Sequence, residues 1–359
     1  MRPPRLTRFE RAGTLALFSS YFSILVHRFT GRSDAAVGDR FADRKGYELA
    51  ARAAKSPRTR MLRRLVRRPQ FWFGLAVLVP IFIWYGVFAA WPIGRAIFIS
   101  LHNWNVLNPA MSRFVGFDNY AGLLGRDVFT TALLNTVKYV LALILFVTPL
   151  SLLVAALLNS VQRGRRIYLA FIFLPVVIST VAAAVMFRWF YDFNAGLFNN
   201  LIGLVGVPRQ PFLSSFEQAL FAVVAVDVWK SLGFFTVILL AGMLQVPQTL
   251  REAARMDGAN AWHVFRHIDL PGIRNVLALV TVIVAIQGFQ AFTPILVMTE
   301  GVGAGGPARS TTVLPLLIYQ DGLLRFQLGK ATAVAFVLFA IVMVVTIVQL
   351  WILRRSWQR

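Results

Sequence analysis

The sequence contains no cysteine. That excludes a disulfide framework, a thiolate metal site and a cysteine nucleophile. Histidine is scarce as well, with 4 scattered over 359 residues, which argues against a catalytic metal site. Charged residues make up only 14% of the chain, against about 25% in a soluble globular domain. Acidic residues are the rarest of these: 15 Asp and Glu face 37 Lys and Arg, for a net charge of +22. No Gly-x-x-x-x-Gly-Lys-Ser/Thr occurs; Gly329-Lys330 lacks the earlier glycine and is followed by Ala331. Nothing of that type is present to cradle the phosphates of ATP.

What is present is apolar. Hydrophobic residues are 57% of the chain, and they come in runs too long for core helices. A run of about 18 or more apolar residues reads as a membrane-spanning helix. Six such spans are predicted, at about 71–101, 133–159, 167–190, 217–244, 273–298 and 331–353. Pro80, Pro149 and Pro175 fall inside them, where neighbouring helices absorb a kink. The predicted fold is an all-α membrane protein with six transmembrane helices and a short cytoplasmic loop between spans four and five.

Arginine sets the predicted orientation. With residue 70 cytoplasmic, the inner loops collect Arg63, Arg64, Arg67 and Arg68, then Arg163, Arg165 and Arg166, then Arg251, Arg255, Arg266 and Arg274, then Arg354, Arg355 and Arg359. The outer side holds fewer cations, and the bias places both termini in the cytoplasm. Residues 1–60 form a basic arm ahead of the six-span domain, 61–359. Residues 1–70 hold 17 Lys and Arg against 5 Asp and Glu. Such a segment can suggest nucleic acid; beside membrane spans it reads instead as a cytoplasmic anchor facing anionic lipid. The apolar stretch 14–26 is too short to span. It reads as an interfacial helix, a signal-peptide-like segment, or sequence upstream of a translation start at Met61.

One polar stretch interrupts the apolar pattern: REAARMDGANAWHVFRHIDLPG, 251–272. Thr249 and Glu252 have the spacing of a capping box, which predicts a helix from about 250 to 256. Gly258 ends it, since glycine accepts a left-handed backbone. Asn260 can cap a second short helix carrying Trp262 and Phe265, and Leu270-Pro271-Gly272 closes the stretch. Ala253 and Ala254 leave a smooth surface, with Glu252, Arg255 and Asp257 around it. This pattern suits a compact knob between two spans.

The stretch resembles the cytoplasmic loop of ABC importer permeases. That loop reads Glu-Ala-Ala, three residues, Gly, nine residues, Ile, one residue, Leu-Pro. Here Glu252-Ala253-Ala254, Gly258, Ile268 and Leu270-Pro271 hold those positions. WPIGRAIFISLHNWN (91–105), FVGFDNYAGLL (114–124) and GGPARSTTVLPLLIYQDGL (305–323) are similar to the carbohydrate-importing branch, which includes the maltose and glycerol-phosphate permeases. The resemblance covers roughly 62–355. The departures are the long basic arm and Leu323-Leu324, where an aromatic residue is common. It implies that residues 249–271 are the element coupling this chain to a separate ATP-binding subunit dimer. ATP and Mg would be bound there and no cofactor here. It further implies a second permease chain, an extracytoplasmic solute-binding protein and a bacterial or archaeal cytoplasmic membrane.

Ionisable groups at membrane depth are functional candidates. Asp227 and Lys230 lie on one face of span four; they read either as a mutual ion pair or as direct solute contacts. Gln287, Gln290 and Thr293 recur at three-residue spacing in span five, beside Phe289 and Phe292. Amides for hydroxyls and rings for C–H faces suit a sugar, although glutamine also bonds helices together. The expected activity is therefore sugar or polyol import by alternating access, with no catalysis by this chain. A phosphate ester or amino acid remains the alternative cargo. Two rivals lack support: an ion-coupled carrier wants a membrane carboxylate and an inverted repeat, and a membrane enzyme wants clustered acids.

Overall fold

The computed structural model describes residues 69–106, 108–161, 163–300 and 304–357. The basic arm, residues 1–60, and Met61 lie outside them. The chain divides into two compact units at Ile83 and Trp84. The described part of the first is the opening portion of helix α1 (Pro69–Tyr85), whose aromatic and aliphatic side chains are exposed.

The second unit continues through a π-helical turn, Gly86–Ala90, into α2 (Trp91–Ser100). A two-residue antiparallel pair follows, β1 (His102–Asn103) with β2 (Arg113–Phe114); it is the one addition to an otherwise helical chain among the described residues. Then come α3 (Asp118–Leu124), α4 (Asp127–Ser160), α5 (Arg165–Val177), α6 (Thr180–Phe190), α7 (Leu197–Gly203) and α8 (Ala219–Leu244). The remainder is α9 (Gln248–Met256), α10 (Ala261–Val264), α11 (Leu270–Gly272), α12 (Arg274–Phe289), α13 (Thr293–Thr299), α14 (Leu314–Tyr319) and α15 (Leu328–Trp357).

Four helices are long and apolar enough to cross a membrane: Trp72–Ser100, Asp127–Ser160, Ala219–Leu244 and Leu328–Ile352. Two further helix pairs are long and apolar enough only when each pair is taken together, and both are sharply bent at a break. Arg165–Val177 and Thr180–Phe190 meet at 92°, and Ala261–Gly272 and Arg274–Phe289 at 71°. The predicted third and fifth spans are thus not continuous helices. Ile178 and Ser179 take extended conformations, with ψ of 132° and 135°, three residues after Pro175. The fifth stops at Phe289, and residues 290–292 separate it from α13. Pro80 and Pro149 sit inside helices that carry on through them.

The main core joins α4, α8 and α12. Tyr139, Phe235, Leu239, Met243 and Val280 are fully buried there. Helices α5 and α8 touch at backbone distance: a Cβ on Gly233 would lie 2.2 Å from the Ile172 carbonyl oxygen. A second cluster, with Leu123, Phe129, Leu314, Leu317 and Val334, joins α3, α4, α14 and α15. The opposite faces of these helices carry exposed Leu141, Leu145, Phe171 and Val344. Helices apolar on both sides suit lipid or another membrane subunit as surroundings.

A buried carboxylate gripped by two partly exposed arginines holds the start of α4. Asp321, with no exposed surface, accepts from Arg126 at 2.7 and 3.2 Å and from Arg325 at 2.6 Å. Burial pushes its carboxyl up, but the hydrogen bonds and charges of the two arginines outweigh this and hold it below its ordinary value.

Candidate functional site

The loop between α8 and α12 is a rigid knob. Its first helix, α9, begins at Gln248 with Pro247 at the cap position and no side-chain cap. The predicted capping box does not form. Instead the Gln248 amide donates to the Glu252 carboxylate at 2.7 Å, one turn on, because the helix starts before Thr249 can serve as its cap.

The end of α9 explains the spacing of Ala254 and Gly258. Gly258 has φ of +83°. Its N–H donates to the Arg255 carbonyl at 3.1 Å, and the Ala259 N–H to the Ala254 carbonyl at 2.9 Å. These two bonds define a Schellman motif, which needs a left-handed residue four positions after Ala254. Asn260 then caps α10 as predicted, accepting from the His263 N–H at 2.9 Å. The chain continues through a π-helical turn, Phe265–Asp269, and α11.

Arg251 ties these pieces to the membrane helices. It bonds the Asp269 carboxylate at 2.7 Å and the Met243 carbonyl, near the end of α8, also at 2.7 Å. Both side chains are largely buried. Ile268 packs against the main core and Leu270 is half-buried. Glu252, Ala253, Asp257, Gly258 and Pro271 are exposed, and Ala254 is half-buried. Large apolar side chains also point away from the protein: Met256 is 88% exposed and Trp262 61%. The knob is anchored on one side and presents a bare, partly apolar surface on the other.

A second feature lies deeper. A cavity of about 380 Å³ is lined by Asp227 and Lys230 of α8, Gln287 of α12, and Gln290, Phe292 and Thr293 at the break before α13. Thr180, at the start of α6, also reaches it. Six of the seven candidate path residues therefore meet in one place. The seventh, Phe289, does not. It is 4% exposed and packs with Val140 and Ala285 against α15, because it faces the opposite side of α12.

Asp227 and Lys230 do not pair with each other; no ion pair joins them among the described residues. The Tyr139 hydroxyl donates to the Asp227 carboxylate. The Lys230 ammonium donates to the Ile178 carbonyl at 2.6 Å and the Val176 carbonyl at 3.3 Å. Those carbonyls are the ones the break between α5 and α6 leaves without helical partners. Non-helical backbone at membrane depth survives only with such replacement bonds, and a cation suits a helix C-terminus. The cavity thus offers a carboxylate, an ammonium, two amides, hydroxyls and an aromatic ring within one polar space.

Tyr139, Arg251 and Asp269 are missing from the sequence-level candidates. Tyr139 and Asp227 lie 88 positions apart and no periodicity links them. Arg251 and Asp269 are 18 apart across two turns. An arginine and an acid in a loop between apolar spans is the only signal that could have suggested them. Ser151 bonds the Leu232 carbonyl at 3.4 Å, which is helix-to-helix contact, whereas Thr180 belongs to the cavity.

Residues 147–358 match the family model described as binding-protein-dependent transport system inner membrane component. Among curated proteins, the chain is similar to the trehalose/maltose transport system permease protein MalF of Thermococcus litoralis, 32% identical over 277 residues, covering 77% of this chain and 92% of the relative. It is also similar to the sn-glycerol-3-phosphate transport system permease protein UgpA of Pectobacterium atrosepticum, 30% identical over 294 residues, with 80% and 97% covered. Among solved structures, it aligns with a chain of a bacterial alginate ABC transporter in complex with an alginate pentasaccharide-bound periplasmic protein. The TM-score is 0.71 at 25% identity, over 80% of this chain and 95% of that one.

Proposed function

This chain belongs to the binding-protein-dependent transport system inner membrane components, and from that premise we propose how it works as the transmembrane subunit of an ATP-driven importer. Its cargo is a sugar or related polyol, and residues 249–271 couple it to a separate ATPase. The observation that carries the coupling role is the anchored loop: Arg251 binds α9 to both Asp269 and the end of α8. A push on the exposed face of α9 therefore moves α8 and α12 together rather than deforming the loop.

The mechanism is alternating access. ATP and Mg bind in the partner dimer, whose closure draws the coupling loops together. The helices then open outward to a solute-loaded binding protein, and hydrolysis resets them. A second permease chain completes the pathway, and its contact surface is among the exposed apolar helix faces. Counting each broken pair as one span gives six, which puts both termini on one side of the membrane, and the arginine bias favours the cytoplasm as that side.

The cavity at Asp227 and Lys230 is the solute path. Its amides and hydroxyls suit sugar hydroxyls, and Phe292 offers a face for C–H groups. Opposite charges at Asp227 and Lys230 favour a neutral polyol. A phosphate ester is the second reading, since the Lys230 ammonium faces the same space and glycerol-phosphate permeases are among the relatives.

The test is a pull-down from membranes through a tag on this chain, wild type beside Gly258→Asp, with uptake measured in vesicles. Recovery of an ATP-binding subunit and ATP-dependent uptake with wild type, and loss of uptake with the variant, is expected. Uptake by this chain alone without ATP would overturn the importer reading.

A further inference from the structure

A cavity of about 680 Å³ lies where the end of α4 and the start of α5 face the loop helices. It is separate from the polar cavity at Asp227. Its lining changes character along its length. Leu153 and Leu157 of α4 are exposed apolar walls within the long apolar helix Asp127–Ser160. Asn159 and Ser160 follow where α4 ends, and Arg165 stands on the first turn of α5. Arg255 and Trp262 enter from the loop.

The charges at this cavity are not balanced internally. Arg251 is taken up by Asp269. Glu252 accepts from the Gln248 amide. The guanidinium groups of Arg165 and Arg255 have no ion-pair or hydrogen-bond partner among the described residues. Two free guanidiniums, the positive end of α5 and an interfacial tryptophan thus stand above an open aliphatic wall. Guanidinium groups bind phosphate in bidentate fashion, tryptophan favours the headgroup level, and basic pockets between membrane helices take anionic headgroups.

We propose that this cavity binds one anionic phospholipid, its phosphate held by Arg165 and Arg255 and an acyl chain laid along Leu153 and Leu157. The lipid fills the space between α4 and the coupling loop and stiffens the connection between them.

The test uses the importer purified with its partner subunits in mild detergent, probed by native mass spectrometry and lipid extraction. Phosphatidylglycerol, added to vesicles of phosphatidylcholine, is the probe. Wild type should retain phosphatidylglycerol, and the double variant R165Q/R255Q should bind it about thirtyfold more weakly. The control R166Q/R266Q removes the same net charge at two exposed arginines that do not line the cavity, and it should bind like wild type. Equal loss in the control overturns the proposal in favour of diffuse attraction. Retention of phosphatidylethanolamine as strongly as phosphatidylglycerol, or a partner ATPase peptide crosslinked into the cavity, also overturns it. Should R165Q/R255Q not assemble, Leu157→Trp keeps both arginines and fills the acyl wall; unchanged retention there sinks the proposal. Lipid retention is read independently of uptake, so its failure leaves the coupling role standing.

Discussion

Arg251 and Lys230 do similar work at two depths. Each is a cation whose partners include backbone carbonyls at a helix end, and each holds together elements that would otherwise only touch. Arg251→Ala strands the largely buried Asp269 carboxylate. Breaking a buried pair by removing one partner costs about 3–5 kcal/mol, so the variant should melt well below wild type in detergent, and coupled ATP hydrolysis should fall with it. Arg251→Ala/Asp269→Ala removes both charges and should recover part of that loss, as a double-mutant cycle would reveal. Lys230→Met leaves the Val176 and Ile178 carbonyls without their donor. An unsatisfied buried group costs roughly 1–3 kcal/mol. Hydrogen exchange should therefore rise at residues 176–180, and uptake should drop, while the ATPase subunit still co-purifies.

At the scale of elements, the broken helices decide the site. The 92° bend between α5 and α6 brings Thr180 to the cavity wall and frees the carbonyls that Lys230 binds. Ahead of that bend, α8 approaches the α5 backbone closely at Gly233. Gly233→Ala puts a methyl group against the Ile172 backbone, not against a side chain that could turn away. Overpacking of this kind costs about 1–3 kcal/mol. The variant should show a lower melting temperature and faster exchange in α5, with little change in the loop at Gly258. Much of the loop was legible beforehand. A glycine turn and an asparagine cap are local, and both Gly258 and Asn260 do what their residue types predict. The capping box at Thr249 failed because the helix starts at Gln248, with Pro247 at the cap position, two residues earlier than the pattern suggested. The breaks at Ile178 and Gln290 were not legible as breaks, since an apolar run reads the same whether a helix crosses it straight or turns inside it.

At the scale of the whole molecule, the triad of Arg126, Asp321 and Arg325 ties positions 195 residues apart. It locks the start of α4 to the segment ahead of α15. Because Asp321 in the folded protein titrates below its ordinary value, the unfolded chain binds the proton first on acidification. Its stabilising contribution is present above about pH 4, the ordinary carboxyl value, and is lost as pH falls through the lower folded value. Melting temperature should hold from neutral pH to about pH 5 and then decline. Asp321→Asn should melt lower at neutral pH and show a shallower acid decline; an acid decline identical to wild type would remove Asp321 as its cause.

Composition and local pattern alone were enough to mark a membrane chain, the approximate position of its apolar segments, the polar loop between α8 and α12 that we propose as the coupling element, and most of the residues that line the polar cavity. These depend on interactions within a few turns or on totals, which a linear string carries. Tertiary structure decided the partners: Tyr139 for Asp227, backbone carbonyls for Lys230, Asp269 for Arg251, and the exclusion of Phe289 from the cavity. Each depends on which faces of distant helices meet. Long-range packing selects those faces, and in helices apolar on every side no periodicity in the sequence marks them.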